Sequence, residues 1–437
     1  MSRQAQSTAG ETPDTGQELV PVNVAAESEA ENRHDRARPI PRISIQAFCE
    51  NGETAEALQV AAEDRRLAKA HVSIHMGGAE AAVAHYEASP TPNLIVIESA
   101  LPRGEMLAEL DRLAGSCDAG TKVVAIGHVN DVVLYRELLK RGVSEYLIAP
   151  VSPLQLMESI SNLYNDPQSD PVGHILAFVG AKGGVGSSTV CHNVAWCMSE
   201  LLKTSVVIAD LDLAFGTAGL DFNQDPVQGI ADAIASPERL DEVLLDRLLT
   251  KCSEHLSLFA APGLLDRDYD ISPDACDLVL DVVRQNVPYV AVDLPHQWNA
   301  WSKRVLLQAD DIIITAAPDL ANLRNAKNIV DLLKQSRHND RSPHLVINML
   351  NMPKRPEIPV KEFETALDLR AAAVIEFDSE TFGQAANNGQ MIEEMSTKAK
   401  SVQQFRDVCM VLSGRKEQKV EKKSALAPLL ERLKIKR

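Results

Sequence analysis

From Arg42 to about Asp166, short aliphatic runs alternate with stretches whose apolar positions recur every three to four residues. Ile43–Phe48, His71–His75, Asn93–Ile97, Lys122–Gly127 and Glu145–Ile148 predict strands, and Thr54–Leu67, Ala79–Ala88, Gly104–Ala114, Asp131–Arg141 and Pro153–Tyr164 predict helices. That βα alternation predicts a small doubly wound domain with a parallel sheet over residues 43–165. A polar, proline-bearing linker is expected over 166–173, and a second α/β domain over 174–413. Its predicted strands are His174–Val179, Ser205–Ala209, Leu256–Ala260, Tyr289–Val292, Asp311–Thr315, His344–Ile347 and Ala373–Phe377. Ser188–Leu202, Asp274–Gln285, Leu320–Gln335 and Val402–Leu412 carry helical periods. Near-continuous Val, Ile, Leu and Ala in those strands means a sheet buried on both faces.

Residues 1–42 break the pattern. They are rich in Glu, Ala, Ser, Thr and Pro, contain no aromatic residue, and cannot bury enough surface to offset the entropy of ordering, so a disordered arm is expected. The 437 residues fit two or three domains at about 150 each. A formal net charge of −17 excludes a generally basic nucleic-acid binder. The seven cysteines form no C-x-x-C pair, which argues against a disulfide framework or a zinc site and for a reducing cytoplasm. No apolar run approaches the roughly 18–20 residues of a membrane span, and the polar N-terminus has no signal-peptide core. Residues 414–437 differ again, with nine Lys/Arg against three Glu, net +6. Leu426, Leu429, Leu430 and Leu433 there fall at i, i+3, i+4 and i+7, a basic amphipathic helix suited to an anionic membrane or a partner, or an end that is merely solvated.

The chemistry concentrates in Ile175-Leu-Ala-Phe-Val-Gly-Ala-Lys-Gly-Gly-Val-Gly-Ser-Ser-Thr189, a glycine-rich turn after an apolar strand and before a helix. In that context a P-loop cradles phosphate: Gly183, Gly184 and Gly186 let backbone N–H groups turn inward, and the helix N-terminus adds its dipole. Ala181, Lys182, Val185, Ser187 and Thr189 complete the candidate nucleotide loop, and Ser188 stands where a P-loop places its Mg²⁺ hydroxyl. The loop has one defect, because Ser187 occupies the position of the lysine that should follow Gly186.

With Lys182 at its front, the loop resembles the deviant Walker A of the ParA/MinD ATPases. The resemblance makes Lys182 the signature lysine that reaches the partner's phosphates in a nucleotide-sandwich homodimer. Val206-Val-Ile-Ala-Asp-Leu-Asp212 resembles that family's switch I, which implies that Asp210 and Asp212 organise Mg²⁺-bound water and the attacking water. Tyr289-Val-Ala-Val-Asp293 resembles its Walker B, which implies that Asp293 holds Mg²⁺ through water. Asn348 ends a late strand where the family places a base-contacting asparagine; an amide matches adenine, and a strand-end turn asparagine fits equally. More narrowly, Asp293-Leu-Pro-His-Gln-Trp-Asn-Ala-Trp-Ser302, Leu320-Ala-Asn-Leu-Arg-Asn-Ala-Lys-Asn328, Pro356-Glu-Ile-Pro-Val-Lys-Glu-Phe363 and the segment from Phe377 to Met391 resemble the CpaE/TadZ proteins of Flp (tight adherence) pilus assembly. That resemblance implies a receiver-like domain in front of the ATPase domain, pilus-assembly partners, a polar or inner-membrane position, and ATP with Mg²⁺ as cofactors.

A phospho-accepting receiver needs an Asp at the end of its third strand, a Ser/Thr after the fourth and a Lys after the fifth. Here Glu98, Gly127 and Ala149 stand in those places, so a pseudo-receiver acting as an interaction module is expected. Ser187 predicts ATPase activity that is weak at most. The fold expected is thus a receiver-like (flavodoxin-like) domain followed by a ParA/MinD-type P-loop NTPase with a mostly parallel sheet. The rival functions are a ParA-like partitioning ATPase, which the acidic body disfavours as a DNA binder, and a nucleotide-free scaffold. Trp298 and Trp301 are expected to pack on a helix face, Cys191 and Cys197 to be buried, and no histidine pair has metal-site spacing.

Overall fold

The computed structural model describes residue 40 and residues 43–87, 89–118, 120–164, 172–265 and 268–415. The expectations for the arm 1–42 (Ile40 apart), for most of the linker 166–173 and for nearly all of the basic tail 414–437 lie outside those residues. The chain divides into two compact units, one ending at Tyr164 and one starting at Asn165.

In the first unit β1 (Ser44–Cys49), β2 (His71–Met76), β3 (Leu94–Ser99), β4 (Lys122–Gly127) and β5 (Glu145–Ile148) form a parallel sheet in the order β2-β1-β3-β4-β5. Alternation along β3 explains the layering. Leu94 and Val96 face the helices Gly52–Ala62 and Pro153–Tyr164, whereas Ile95 and Ile97 face Gly78–Tyr86, Arg103–Ala114 and Val132–Lys140. The stretch read as one helix over Thr54–Leu67 divides at Asp64, whose carboxylate accepts from Arg66 N at 3.0 Å and caps a separate 3₁₀ turn, Arg65–Leu67.

The second unit has β6 (His174–Gly180), β7 (Val206–Asp210), β8 (Thr250–Lys251), β9 (Leu256–Phe259), β10 (Tyr289–Asp293), β11 (Asp311–Ala316), β12 (His344–Leu350) and β13 (Ala371–Glu376), in the order β13-β12-β11-β6-β10-β7-β9-β8. Every pairing is parallel except β8–β9, a two-residue edge that the sequence pattern did not reveal. Leu176 and Phe178 pack beneath the helices Ser187–Leu202 and Lys400–Leu412, and Ile175 and Ala177 beneath Pro273–Asn286 and Leu320–Ser336. β6 lies between β10 and β11, so its carboxyl end opens at the middle of the sheet, where doubly wound folds bind ligands. Trp301 and the cysteines 191 and 197 are buried as expected; Trp298 is not, being 59% exposed in the turn that leads into the helix Ala300–Gln308. Among the described residues no helix is long and apolar enough to cross a membrane.

Candidate functional site

The loop after β6 turns on glycines with left-handed backbone, Gly184 at φ +78° and Gly186 at φ +82°, and Gly186 caps the helix Ser187–Leu202. A side chain at Gly186 would also strike the Asn348 amide nitrogen. Three loop carbonyls are held from behind by side chains. His296 Nδ1 lies 3.1 Å from Gly180 O, Asn325 Nδ2 donates to Ala181 O at 2.9 Å, and Asn348 Nδ2 donates to Val185 O at 2.8 Å. Ala181 and Val185 are buried anchors, Lys182, Gly183 and Gly184 are exposed, and Gly186, Ser187, Ser188 and Thr189 are half-buried at the helix start. Asn348 is therefore engaged with the loop, and its Oδ1 accepts from Met349 N at 2.9 Å.

Parallel pairing sets Asp210 of β7 beside Asp293 of β10, with Phe178 of β6 on the other side of Asp293. Both carboxylates are buried. Asp210 accepts from Asp212 N at 3.1 Å and from Ala218 N at 3.3 Å, so it pins the segment that follows β7, and Asp212 accepts from Phe215 N at 3.2 Å. Burial, and then the charge of Asp293, push the Asp210 carboxyl up to about 7 against the opposing pull of His192. Burial likewise raises Asp212, with the Phe215 amide opposing. Ser187 Oγ and Asp293 Oδ1 are buried with no hydrogen-bond partner.

Sequence reasoning missed His192. It is fully buried on the helix that follows the loop, its Nδ1 2.7 Å from Asp221 Oδ2 and its Nε2 3.5 Å from Asp293 Oδ2. Burial works against the charged ring, but the hydrogen bond to Asp221 and the charges of Asp293 and Asp221 outweigh it and raise the pKa to about 10. A raised histidine stabilises the fold fully below its ordinary 6.5 and loses that contribution as pH climbs to about 10. The nucleotide-free chain should therefore lose stability across that window. Buried thiols, raised by burial as at Cys276 to about 12, act in the same direction above their ordinary 9.0. The informative quantity is thus the difference in unfolding free energy between the native chain and His192→Gln. That difference should shrink from pH 6.5 to 10, and a constant difference would refute the assignment. His296 and Asn325 were also missed as loop supports, although both lie in segments already singled out by family resemblance.

The donor set suits a hard cation shared with phosphate. Ser188, Asp212 and Asp293 offer oxygen only, and Asp293 has an oxygen left over. Mg²⁺ commonly takes one or two carboxylates and completes its shell from water and phosphate. Among the described residues no group of three or more His, Cys, Asp or Glu side chains forms a metal cage.

In the first unit Glu98 is the last residue but one of β3, 1% exposed, and both its oxygens are taken. Oε2 accepts from Glu50 N and Asn51 N, each at 2.9 Å; Oε1 accepts from Thr54 Oγ1 at 2.7 Å and lies 3.2 Å from His128 Nε2. At Gly127 the space a Cβ would need is filled by the ring of Tyr146, whose hydroxyl donates to Val129 O at 2.8 Å.

A family described as an AAA domain matches residues 173–347. The pilus assembly protein CpaE of Caulobacter crescentus CB15 is 49% identical in a match covering 30% of this chain and 98% of that chain, at a TM-score of 0.29. A ParA family ATPase of Chlorobium tepidum TLS is 24% identical, covering 54% of this chain and 98% of that one at a TM-score of 0.50, which shows the fold. The septum site-determining protein MinD of Bacillus subtilis (strain 168) is 23% identical over 257 residues, 56% of this chain and 90% of its own length.

Proposed function

This chain belongs to the CpaE family of pilus assembly proteins, within the ParA/MinD superfamily, and from that premise we propose that it binds ATP with Mg²⁺ at the loop after β6, joins two copies through that face, and turns the nucleotide over slowly if at all. The observation that carries the reading is the juxtaposition of a left-handed glycine turn at a helix N-terminus with Asp293, which keeps a buried oxygen without a partner.

Bound Mg²⁺-ATP would supply a phosphoanhydride and a divalent charge. The amides around Gly183–Gly186 and the first turn of the helix Ser187–Leu202 then hold phosphate oxygens. Ser188 and Asp293 would hold the cation and Asp212 would orient water, while Asp210 holds the segment from Asp212 to Ala218 in place. Asn348 retains one N–H and one lone pair for an adenine edge. Support for a face-to-face homodimer comes from the carboxyl end of the sheet. Phe215, Leu220, Leu264, Leu265, Trp298 and Leu320 are each more than half exposed there, on the segments that follow β7, β9, β10 and β11, and Lys182 is exposed on the same end. An apolar rim around a polar centre fits a second copy of the same surface.

In this reading the protein is cytoplasmic. It positions pilus assembly proteins at the pole or the inner membrane face, with residues 43–165 as an interaction module and the basic tail as a peripheral membrane contact, and it binds no nucleic acid. The test is titration of the full chain with ATP and with ADP in Mg²⁺, reading affinity by calorimetry and mass by light scattering. Binding of ATP with ATP-specific doubling of mass is the expected result. Absence of binding to either nucleotide would overturn it and leave a scaffold whose loop has been retired.

A further inference from the structure

At the end of the second sheet opposite the phosphate loop lies a cleft of about 620 Å³ that the scheme above does not use. The amino ends of β7 and β9, the helix Glu242–Leu248 and the residues just ahead of β10 line it. Val243, 62% exposed, and the half-buried Val287 give the cleft an apolar side. Glu242, Asp246 and Glu254 set three exposed carboxylates around it, against Arg247 and the half-buried His255. None of the three carboxylates has an ion-pair partner among the described residues. Neighbouring carboxylates repel, and an exposed valine gains by being covered, so a basic segment with an apolar stripe fits both needs.

The described chain ends close by. After the helix Lys400–Leu412, Gly414 turns the backbone at φ +67°, Arg415 N donates to Met410 O at 3.0 Å, and the Arg415 charge acts on the Tyr289 hydroxyl. Tyr289 opens β10 and pairs with Val206, which opens β7 and lines the cleft. Residues 416–437 then carry eight Lys/Arg against three Glu, with Leu426, Leu429, Leu430 and Leu433 spaced as one stripe. The ten residues between Arg415 and Leu426 reach about 33 Å when extended, several times the roughly 5 Å between neighbouring strands.

We propose that this cleft is the docking site of the chain's own segment 416–437. The leucine stripe covers Val243 and Val287, and the lysines and arginines beside it neutralise Glu242, Asp246 and Glu254. Docking needs neither nucleotide nor the phosphate loop. Where the proposed membrane contact of the tail holds, cleft and anionic lipid compete for one segment, because a docked tail withholds its basic groups.

The experiment is thermolysin digestion of the full chain without nucleotide, with the cut sites identified by mass spectrometry. Thermolysin cuts ahead of leucine, so cleavage at Leu429, Leu430 and Leu433 reads the stripe itself, and cleavage ahead of Leu19 in the same digest is the reference. In the native chain the tail should be cut about tenfold more slowly than the reference, at any protein concentration. Asp246→Lys/Glu254→Lys, at two exposed positions, should abolish that protection, and so should Lys434→Glu/Lys436→Glu in the tail. Combining the two pairs restores opposite charges and should bring the protection back. A native tail cut as fast as the reference would overturn the proposal, since nothing would then cover it. Protection that survives reversal of the cleft charges, or that the combined variant does not recover, would overturn it by placing the tail elsewhere. Protection lost on dilution would assign the cleft to the tail of a second copy and overturn docking within one chain. Should Asp246→Lys/Glu254→Lys fail to fold, as read by far-UV circular dichroism, the tail pair decides: unchanged protection overturns the proposal. None of these results bears on nucleotide binding, which stands or falls by its own titration.

Discussion

Ser187→Lys is expected to accelerate ATP hydrolysis by roughly 10²–10³-fold, the range over which a single preorganised donor to transition-state charge acts. Ser187 is the first residue of the helix Ser187–Leu202, and its hydroxyl is buried without a partner, so the substitution removes no hydrogen bond from the native structure. Ground-state affinity should change much less than rate, because the cradle of amides, the helix N-terminus and Asp293 are present in both proteins. Steady-state hydrolysis measured beside nucleotide affinity separates the two quantities. A variant that binds ATP as the native chain does and hydrolyses it no faster would show that the missing lysine is not what limits turnover. The cause would then be sought in the carboxylates, where burial pushes the Asp210 carboxyl upward.

The legibility of this chain follows burial. Strands covered on both faces read as unbroken aliphatic runs, so β4 coincides with its expected bounds and β6, β7 and β10 differ from theirs by a single residue. What escaped was short or at the edge. The helices Ala218–Asp221, Ile230–Ala235 and Glu242–Leu248 have too few turns to display a period, and the two residues of β8 have no pattern of their own. The phosphate loop was legible because its glycines serve a local backbone purpose. His192 was not, since the carboxylates beside it arrive from distant positions in the chain. Glu98 lies between these cases. Its place near the end of β3 was readable, whereas the donors that close around it became apparent only in the folded unit.

Those donors set the second large expectation. Glu98→Ala should destabilise the first unit by about 3 kcal/mol, because the amides of Glu50 and Asn51 and the hydroxyl of Thr54 lose a charged acceptor. A buried donor left unpaired costs more than the bond itself was worth. Thr54 is 3% exposed, so water does not replace that partner freely. All three tryptophans, Trp196, Trp298 and Trp301, belong to the second unit. Urea unfolding of the full chain followed by far-UV circular dichroism should therefore show the first unit's transition moving to lower denaturant, with the tryptophan-reported transition as internal reference. The same network predicts the chemistry. With both oxygens of Glu98 engaged, and Ala149 where a receiver would have lysine, incubation with acetyl phosphate and Mg²⁺ should leave the native chain unlabelled. Glu98→Asp should remain unlabelled as well, since restoring the acceptor does not restore the lysine. A Glu98→Ala transition unmoved from the native one would mean that the donors find other acceptors, and labelling of the native chain would end the reading of residues 43–165 as a module that works by contact alone.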